Sequence, residues 1–355
     1  MSIFKNFEKG DIVSTRNLVH EAVPITGTIV SGTYSDNNIK NYGHGMFQSI
    51  YDYPILSSSA NSIVDVFVGY SNNSSLSSST NVNNAKKINM YNQFAQMLVG
   101  HDITGSIREF DQDGNVIAGG IKMRECVFLC FNRLLVKDEI QKGNFNFKIY
   151  TGGSVTGGLS QSTSIVDSGA TTNFLINSPA GEYSVLSASN GLLTLHGPQS
   201  SSAGLLYYQA GIAVLTASLF GISGSAGATQ VAQDFGSTIS ASNIDATLTG
   251  STIQHASDGL RARWNDLDFN NTVEINSRIH MCRVGSGEFN YSSNPTYTSG
   301  SKIRVKEVST DEPITYITSV GLHAPDGALL AVAKVSEPIK KTPSTPINLR
   351  VRIDS

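Results

Sequence analysis

Three cysteines, seven histidines and a few close carboxylate pairs are the residues with the clearest chemical potential. Cys126 and Cys130 stand four apart in the run Cys-Val-Phe-Leu-Cys-Phe, which has the composition of a strand. Residues four apart on a strand share a face but lie roughly 13 Å from each other, beyond the reach of a disulfide. The pair is half of a metal site or two small buried hydrophobes. The second reading is preferred, because no matching Cys or His pair occurs at ligand spacing. Cys282 is left over, and an odd count argues against a disulfide framework. None of His20, His44, His101, His196, His255, His280 and His323 forms a His-x-x-x-His or His-x-Glu pair. Asp111-Gln-Asp-Gly-Asn115 starts like a calcium loop. Its Gly114 is fourth where the sixth position needs it, and Lys122 stands where the loop needs a bidentate Glu. Asp-Gly between two strands is a hairpin turn, and a turn is expected. Asp266 and Asp268 beside Trp264 have the composition of a sugar-cleaving site and equally that of a solvated strand edge. Gly221-Ile-Ser-Gly-Ser-Ala-Gly227 lacks the Gly-Lys-Ser/Thr ending of a phosphate loop, and no Gly-x-Ser-x-Gly elbow occurs. No catalytic residue, cofactor site or metal site is expected, and the chain is read as a non-enzyme.

The composition agrees with that reading. The 355 residues suit one to three domains. Only 15% are charged, the formal net charge is −3, and 33 are glycine. That balance excludes a disordered chain of high net charge, a coiled coil and a general nucleic-acid binder. It suits a β-rich chain that buries surface against other chains rather than one kept soluble by charge. The start of the chain has no apolar core of a secretory signal, and no apolar run approaches the ~20 residues of a membrane span. Folding in the cytosol is therefore expected.

The elements that must position any site are mainly strands. Ile25-Thr-Gly-Thr-Ile-Val-Ser-Gly and Ile63-Val-Asp-Val-Phe-Val-Gly-Tyr read as strands rich in β-branched residues. Between them Tyr42, Phe47, Tyr51 and Tyr53 form an aromatic cluster, either a stacking platform for sugars or bases or, the preferred reading, a loop packed on a neighbouring subunit. After a Ser/Asn-rich loop over 71–84, an amphipathic helix near 84–99 presents Ile88, Tyr91, Ala95 and Leu98 on one face, widened by Met90, Phe94 and Met97. So broad an apolar face predicts burial on two sides, against the core and against a partner. Short apolar runs such as Tyr183-Ser-Val-Leu, Leu192-Leu-Thr-Leu and Ile212-Ala-Val-Leu predict short strands through the Gly/Ser-rich middle. The stretch 239–266 is ambiguous, with one or two helices possible. Near the end, alternation predicts strands over 272–284, at Ile303 and Val305, over 314–322 and 328–335 around Ala324-Pro-Asp-Gly, and from Ile347 to Ile353. The expected fold class is mainly β with a few helices (α+β). Three segments are expected: 1–150, an N-terminal α+β domain; 151–266, a small-residue middle region; and 267–355, an antiparallel β-sandwich or barrel-like domain.

Two stretches of the last segment carry a resemblance. Glu288-Phe-Asn-Tyr-Ser-Ser-Asn-Pro-Thr-Tyr-Thr-Ser-Gly-Ser-Lys-Ile and Tyr316-Ile-Thr-Ser-Val-Gly-Leu-His-Ala-Pro-Asp-Gly-Ala-Leu-Leu-Ala-Val-Ala-Lys-Val-Ser-Glu-Pro-Ile-Lys-Lys resemble parts of virion structural proteins of large tailed bacteriophages, of the myovirus and cyanophage type. The region from Met97-Leu-Val-Gly-His-Asp to Lys148 is similar as well. The resemblance implies a non-enzymatic tail or baseplate component, assembled in the host cytoplasm, that self-associates in a ring and docks other virion proteins, with no nucleic acid or membrane. A neck, connector or fibre-attachment protein, or a glycan- or receptor-binding module, is the alternative. The residues expected at interfaces are the helix face Tyr91, Phe94 and Met97, the aromatic loop Phe289, Tyr291 and Tyr297, and the basic strand face Arg304, Lys306, Arg350 and Arg352. Lys334, Lys340 and Lys341 extend the basic stripe, which is read as a surface for acidic partners.

Overall fold

The computed structural model describes residues 4–24, 38–78, 82–115, 119–154, 158–188, 202–220, 244–250, 252–261, 263–292, 298–299, 302–303, 308 and 310–354. The strand expected at 25–32, the Leu192-Leu-Thr-Leu run, the 221–227 turn, and Tyr297, Arg304, Val305 and Lys306 lie outside the described residues. The chain divides into two compact units, Val19–Val273 and Met1–Leu18 with Glu274–Ser355. β1 (Ile12–Pro24) and the 21-residue strand Trp264–Val284 each continue from one unit into the other. The segment boundary expected near 151 falls within a strand, Asn146–Ser154.

The larger unit is built on one antiparallel sheet and a separate short two-stranded pair. In chain order its strands are β2 (Ile39–Asn41), β3 (Gln48–Tyr51), β4 (Ser62–Tyr70), the short pair β5 (Phe110–Asp111) and β6 (Lys122–Met123), β7 (Glu125–Phe131), β8 (Glu139–Ile140), β9 (Asn146–Ser154), β10 (Gly158–Val166), β11 (Leu175–Ser178), β12 (Gly181–Ala188), β13 (Ser202–Tyr207), β14 (Ile212–Thr216) and the first half of β15 (Trp264–Val284). The helices are α1 (Val82–Leu98), α2 (Arg133–Val136), α3 (Ile244–Gly250) and α4 (Ile253–Arg261). Across the sheet the order is β15, β9, β10, β12, β13, β14, β7, β4, β3, β2. α3 and α4 resolve the ambiguous stretch as two helices, and Trp264 opens a strand instead of ending a helix.

Period-two alternation sorts β7 onto two faces. Val127, Leu129 and Phe131 join Val66 and Val68 of β4 and Leu248, Ile253 and Leu260 of α3 and α4 in one core. Cys126 and Phe128 join Met90, Tyr91, Phe94 and Leu98 of α1 in the other. The sheet is therefore covered by helices on both sides, which is why its central strands read as continuous apolar runs. Helix α1 approaches β4 at Gly69. A Cβ there would lie 2.7 Å from the Lys87 carbonyl oxygen and 2.9 Å from the Tyr91 amide nitrogen, so only glycine lets the helix sit this close.

The smaller unit holds the second half of β15 paired with β20 (Ile347–Asp354), the two-stranded pairs β16 (Thr298–Ser299) with β17 (Lys302–Ile303), and β18 (Thr315–His323) with β19 (Leu329–Lys341). These pairs correct the expected fold class. The fold is a mixed α/β fold with multiple sheets, and among the described residues no sheet closes into a barrel. Closure requires the last strand to bond to the first, and β18 and β19 bond only to each other among the described residues.

Burial has one pH consequence. Lys87 of α1 is fully buried and donates to the Leu248 carbonyl oxygen of α3. Desolvation lowers its pKa from 10.5 to about 8. Below pH 8 both folded and unfolded chains carry the charge, and the fold bears its desolvation cost. Between 8 and 10.5 the folded lysine has lost its proton while the unfolded one keeps it, so stability rises with pH in that window. The expected gain is on the order of 3 kcal/mol. It should show as the difference between wild type and Lys87→Met in urea melts from pH 7 to pH 10, and a pH-independent difference would refute it.

Candidate functional site

A cleft of about 1310 Å³ lies within the smaller unit. Its walls come from the segment 4–12, from Arg278 to Val284 on β15, from Phe289 and Tyr291, and from the full length of β18. Phe4 and His323 meet edge-on with ring centroids 4.8 Å apart, and Phe7 packs on His280 at 5.4 Å. Asp11 anchors the segment 4–12: its carboxylate pairs with Arg283 Nε at 2.7 Å, and its carbonyl oxygen accepts from the Met281 amide at 2.8 Å. Lys5 pairs with Glu288 at 2.6 Å. His280 Nδ1 is buried with no hydrogen-bond partner among the described residues. Burial first, and the Asp11 carboxylate second, push the Cys282 thiol up. It is therefore a thiol at neutral pH, without the thiolate character of a nucleophile.

The loop that carries Phe289 and Tyr291 is built around a buried cation. Lys341, at the end of β19, is fully buried. It donates to Ser286 O at 3.0 Å, Asn290 Oδ1 at 2.7 Å and Thr342 O at 2.7 Å. Glu288 accepts from the Gly285 amide at 2.7 Å, and Asn290 Nδ2 donates to Ser286 O at 2.8 Å. Phe289 takes a left-handed backbone with φ 53°, rare for a side chain of its size. Thr315 Oγ1 holds it there by donating to Phe289 O at 2.7 Å. Tyr291, two residues further on and 47% exposed, stands at the cleft.

A second, smaller groove of about 450 Å³ lies in the larger unit, lined by His44, Met46, Phe47, Phe67, Met90, Gln93, Phe94 and Met97. An aromatic path runs inward from it. Tyr42 stacks on His44 at 5.2 Å, Phe47 meets Phe67 at 5.0 Å, Phe67 meets Phe94 at 5.2 Å, and Phe94 stacks on Phe128 at 4.2 Å. The thioethers of the three methionines adapt to varied apolar shapes.

The expected interface residues separate in space. On α1, Tyr91 is buried and donates its hydroxyl to Met123 O at 2.8 Å, Phe94 is buried against Phe128, and Met97 is 48% exposed at the groove. The helix face and the Tyr42/Phe47 cluster thus meet in one place. Phe289 and Tyr291 line the cleft of the other unit. Arg350 and Arg352 are exposed on β20, and Arg352 pairs with Asp354 at 2.6 Å. Lys341, read as part of a surface stripe, is instead internal.

The chemical alternatives fall out of the packing. Asp266 pairs with Lys148 at 3.2 Å, Asp268 accepts from Asn146 Nδ2 at 3.3 Å, and Trp264 is buried edge-on against Phe147 at 5.2 Å. That is a cross-strand ladder, with no aromatic exposed for a sugar. At 111–115, Gly114 donates to Asp111 O at 3.2 Å to close a turn, and Lys122 pairs with the Asp111 carboxylate. Cys126 is buried and hydrogen-bonds Met123 O at 3.5 Å. Among the described residues, no group of three or more His, Cys, Asp or Glu side chains is placed to hold a metal ion, and no helix is long and apolar enough to cross a membrane.

The sequence points to neither Phe4 nor Phe7, and to His280 and His323 only as two of seven histidines. They come from three distant stretches, and only the alternation of β15 hinted that His280 and Cys282 share a face. No protein-family model matches this chain, and no curated protein or solved structure gives a significant match.

Proposed function

We propose that this chain is a structural subunit of a tailed-bacteriophage virion, in the tail or baseplate, that works without catalysis by self-association and by docking neighbouring virion proteins. The supporting observation is the position of the two stretches that carry the resemblance. Glu288 to Ser292 of the first lie in the pinned loop of the cleft, and the second, from Tyr316 on, makes up most of the β18–β19 ribbon along its wall. Both belong to one recess lined by aromatic and apolar side chains with balanced charges, a lining that suits association.

Quantitative mass spectrometry of purified particles of the phage encoding the chain tests this. A count of about six to twelve copies, as closed rings require, is the expected result. A count in the hundreds relocates the chain to a tube, sheath or shell, and absence from the particle overturns the proposal. A glycan-binding reading has one observation of its own, Tyr53 at 52% exposure close in sequence to the stacked Tyr42–His44 pair. Glycan-array binding that is lost in Tyr53→Ala would favour it over docking.

A further inference from the structure

β18 is an incomplete sheet edge. It bonds to β19 on one side, and among the described residues nothing bonds to it on the other. All nine of its residues line the cleft. A two-stranded ribbon is marginal in water by itself, and a third strand is the usual remedy. Sheet edges exposed to water are ordinarily defended with lysine, proline or inward charges. β19 has Lys334, Glu337, Pro338 and Lys340, whereas β18 has no charge and no proline. The undefended edge is the one that faces the cleft.

The charge of the slot indicates what fits. Its walls carry Lys5, Arg278 and Arg283 against Glu8, Asp11 and Asp326, three cations against three carboxylates. A charged strand would lose hydration there without a net counter-charge, and an uncharged one would not. Apolar side chains, Phe7, Ile317, Val320 and Leu349 among them, give the slot its lining. The chain itself contains uncharged segments of the required composition. Residues 25–34, ten in a row without charge or proline, are one such segment.

We infer that the free edge of β18 accepts an extended, uncharged strand from a second copy of this chain, in the slot between β18 and the segment 4–12. The added strand bonds through its backbone and seats alternate side chains in the cleft. An edge that accepts a different surface of the next copy makes a head-to-tail contact, and repeated contacts of this kind close into a ring. The inference rests on the self-association proposed above and names its site.

The test is analytical ultracentrifugation of the full chain across a concentration series, with hydrogen exchange read on residues 315–323. Wild type is expected to associate as concentration rises, with growing protection of the β18 amides. Thr318→Lys with Val320→Lys places two charges on the neutral edge and should weaken association by about 100-fold or more. Val332→Lys, exposed on β19, should leave it unchanged. Circular dichroism of each variant shows that the fold is retained. Association of wild type that is equally strong in the double variant overturns the β18 assignment and leaves the subunit reading intact. A wild type that stays monomeric at all concentrations overturns both self-association and this site, while the copy number in the particle judges the virion reading separately.

Discussion

Gly204→Ala is expected to lower the unfolding free energy by about 4 kcal/mol, which is roughly 8–16 °C in Tm for a unit of this size. Gly204 lies in β13, between β12 and β14, opposite Leu186 and Leu215. The register of β12 on β13 shifts just beyond it, between Leu186 and Ser187, and such a bulge turns the local backbone. A Cβ at this position would lie 2.0 Å from the Val214 carbonyl oxygen and 3.0 Å from the Leu215 Cα. Both are backbone atoms of a strand bonded on each side, so neither can withdraw without breaking ladder hydrogen bonds. All six residues of β13 are buried, so the strand cannot move outward. Gly43→Ala is the contrast: nothing lies within 4 Å of its added Cβ, and its stability should stay within about 0.5 kcal/mol of wild type. Urea melts of the two variants decide the matter. Equal midpoints would mean that β13 has room the structure does not show.

Lys341→Met is expected to destabilise the smaller unit by about 3 kcal/mol. The substitution keeps most of the side-chain volume and removes the donor shared by Ser286 O, Asn290 Oδ1 and Thr342 O. Asn290 and Thr342 are buried, and acceptors left unmet in a buried site cost more than the bond was worth. The first visible effect should be in the loop 285–292. Its amides should exchange faster, and Phe289, no longer held against Thr315, should relax from its left-handed backbone. Lys340→Met, one residue away and exposed, should change stability by less than about 0.5 kcal/mol. Hydrogen exchange and denaturant melts of the pair separate a structural hub from a surface charge. If Lys341→Met melts like Lys340→Met, the hub has no energetic weight.

Lys340 and Lys341 also show where sequence reasoning ends. Both were read as one basic stripe, because adjacent lysines look alike in a string. On a strand, neighbours point to opposite faces. One reaches solvent and the other enters a loop whose carbonyls come from 51 and 55 residues upstream. Helix α1 was legible in outline from its apolar spacing, but the identity of its partner was not. The width of its apolar face was read as room for a second subunit, while Tyr91 and Phe94 are buried against β7 and only Met97 remains exposed at the groove.

Composition and period settled a good deal on their own. The apolar run Cys126–Phe131 located β7, alternation located β20, and the turn residues Ala324-Pro-Asp-Gly located the hairpin. These are local properties, since side-chain direction follows from backbone period and turns follow from the residues that tolerate them. The order of the strands, the absence of barrel closure and the cleft belong to the tertiary structure alone. They depend on which distant segments meet. The residues that meet in the cleft, Phe4 with His323 and Asp11 with Arg283, are separated by most of the chain and share no local signal.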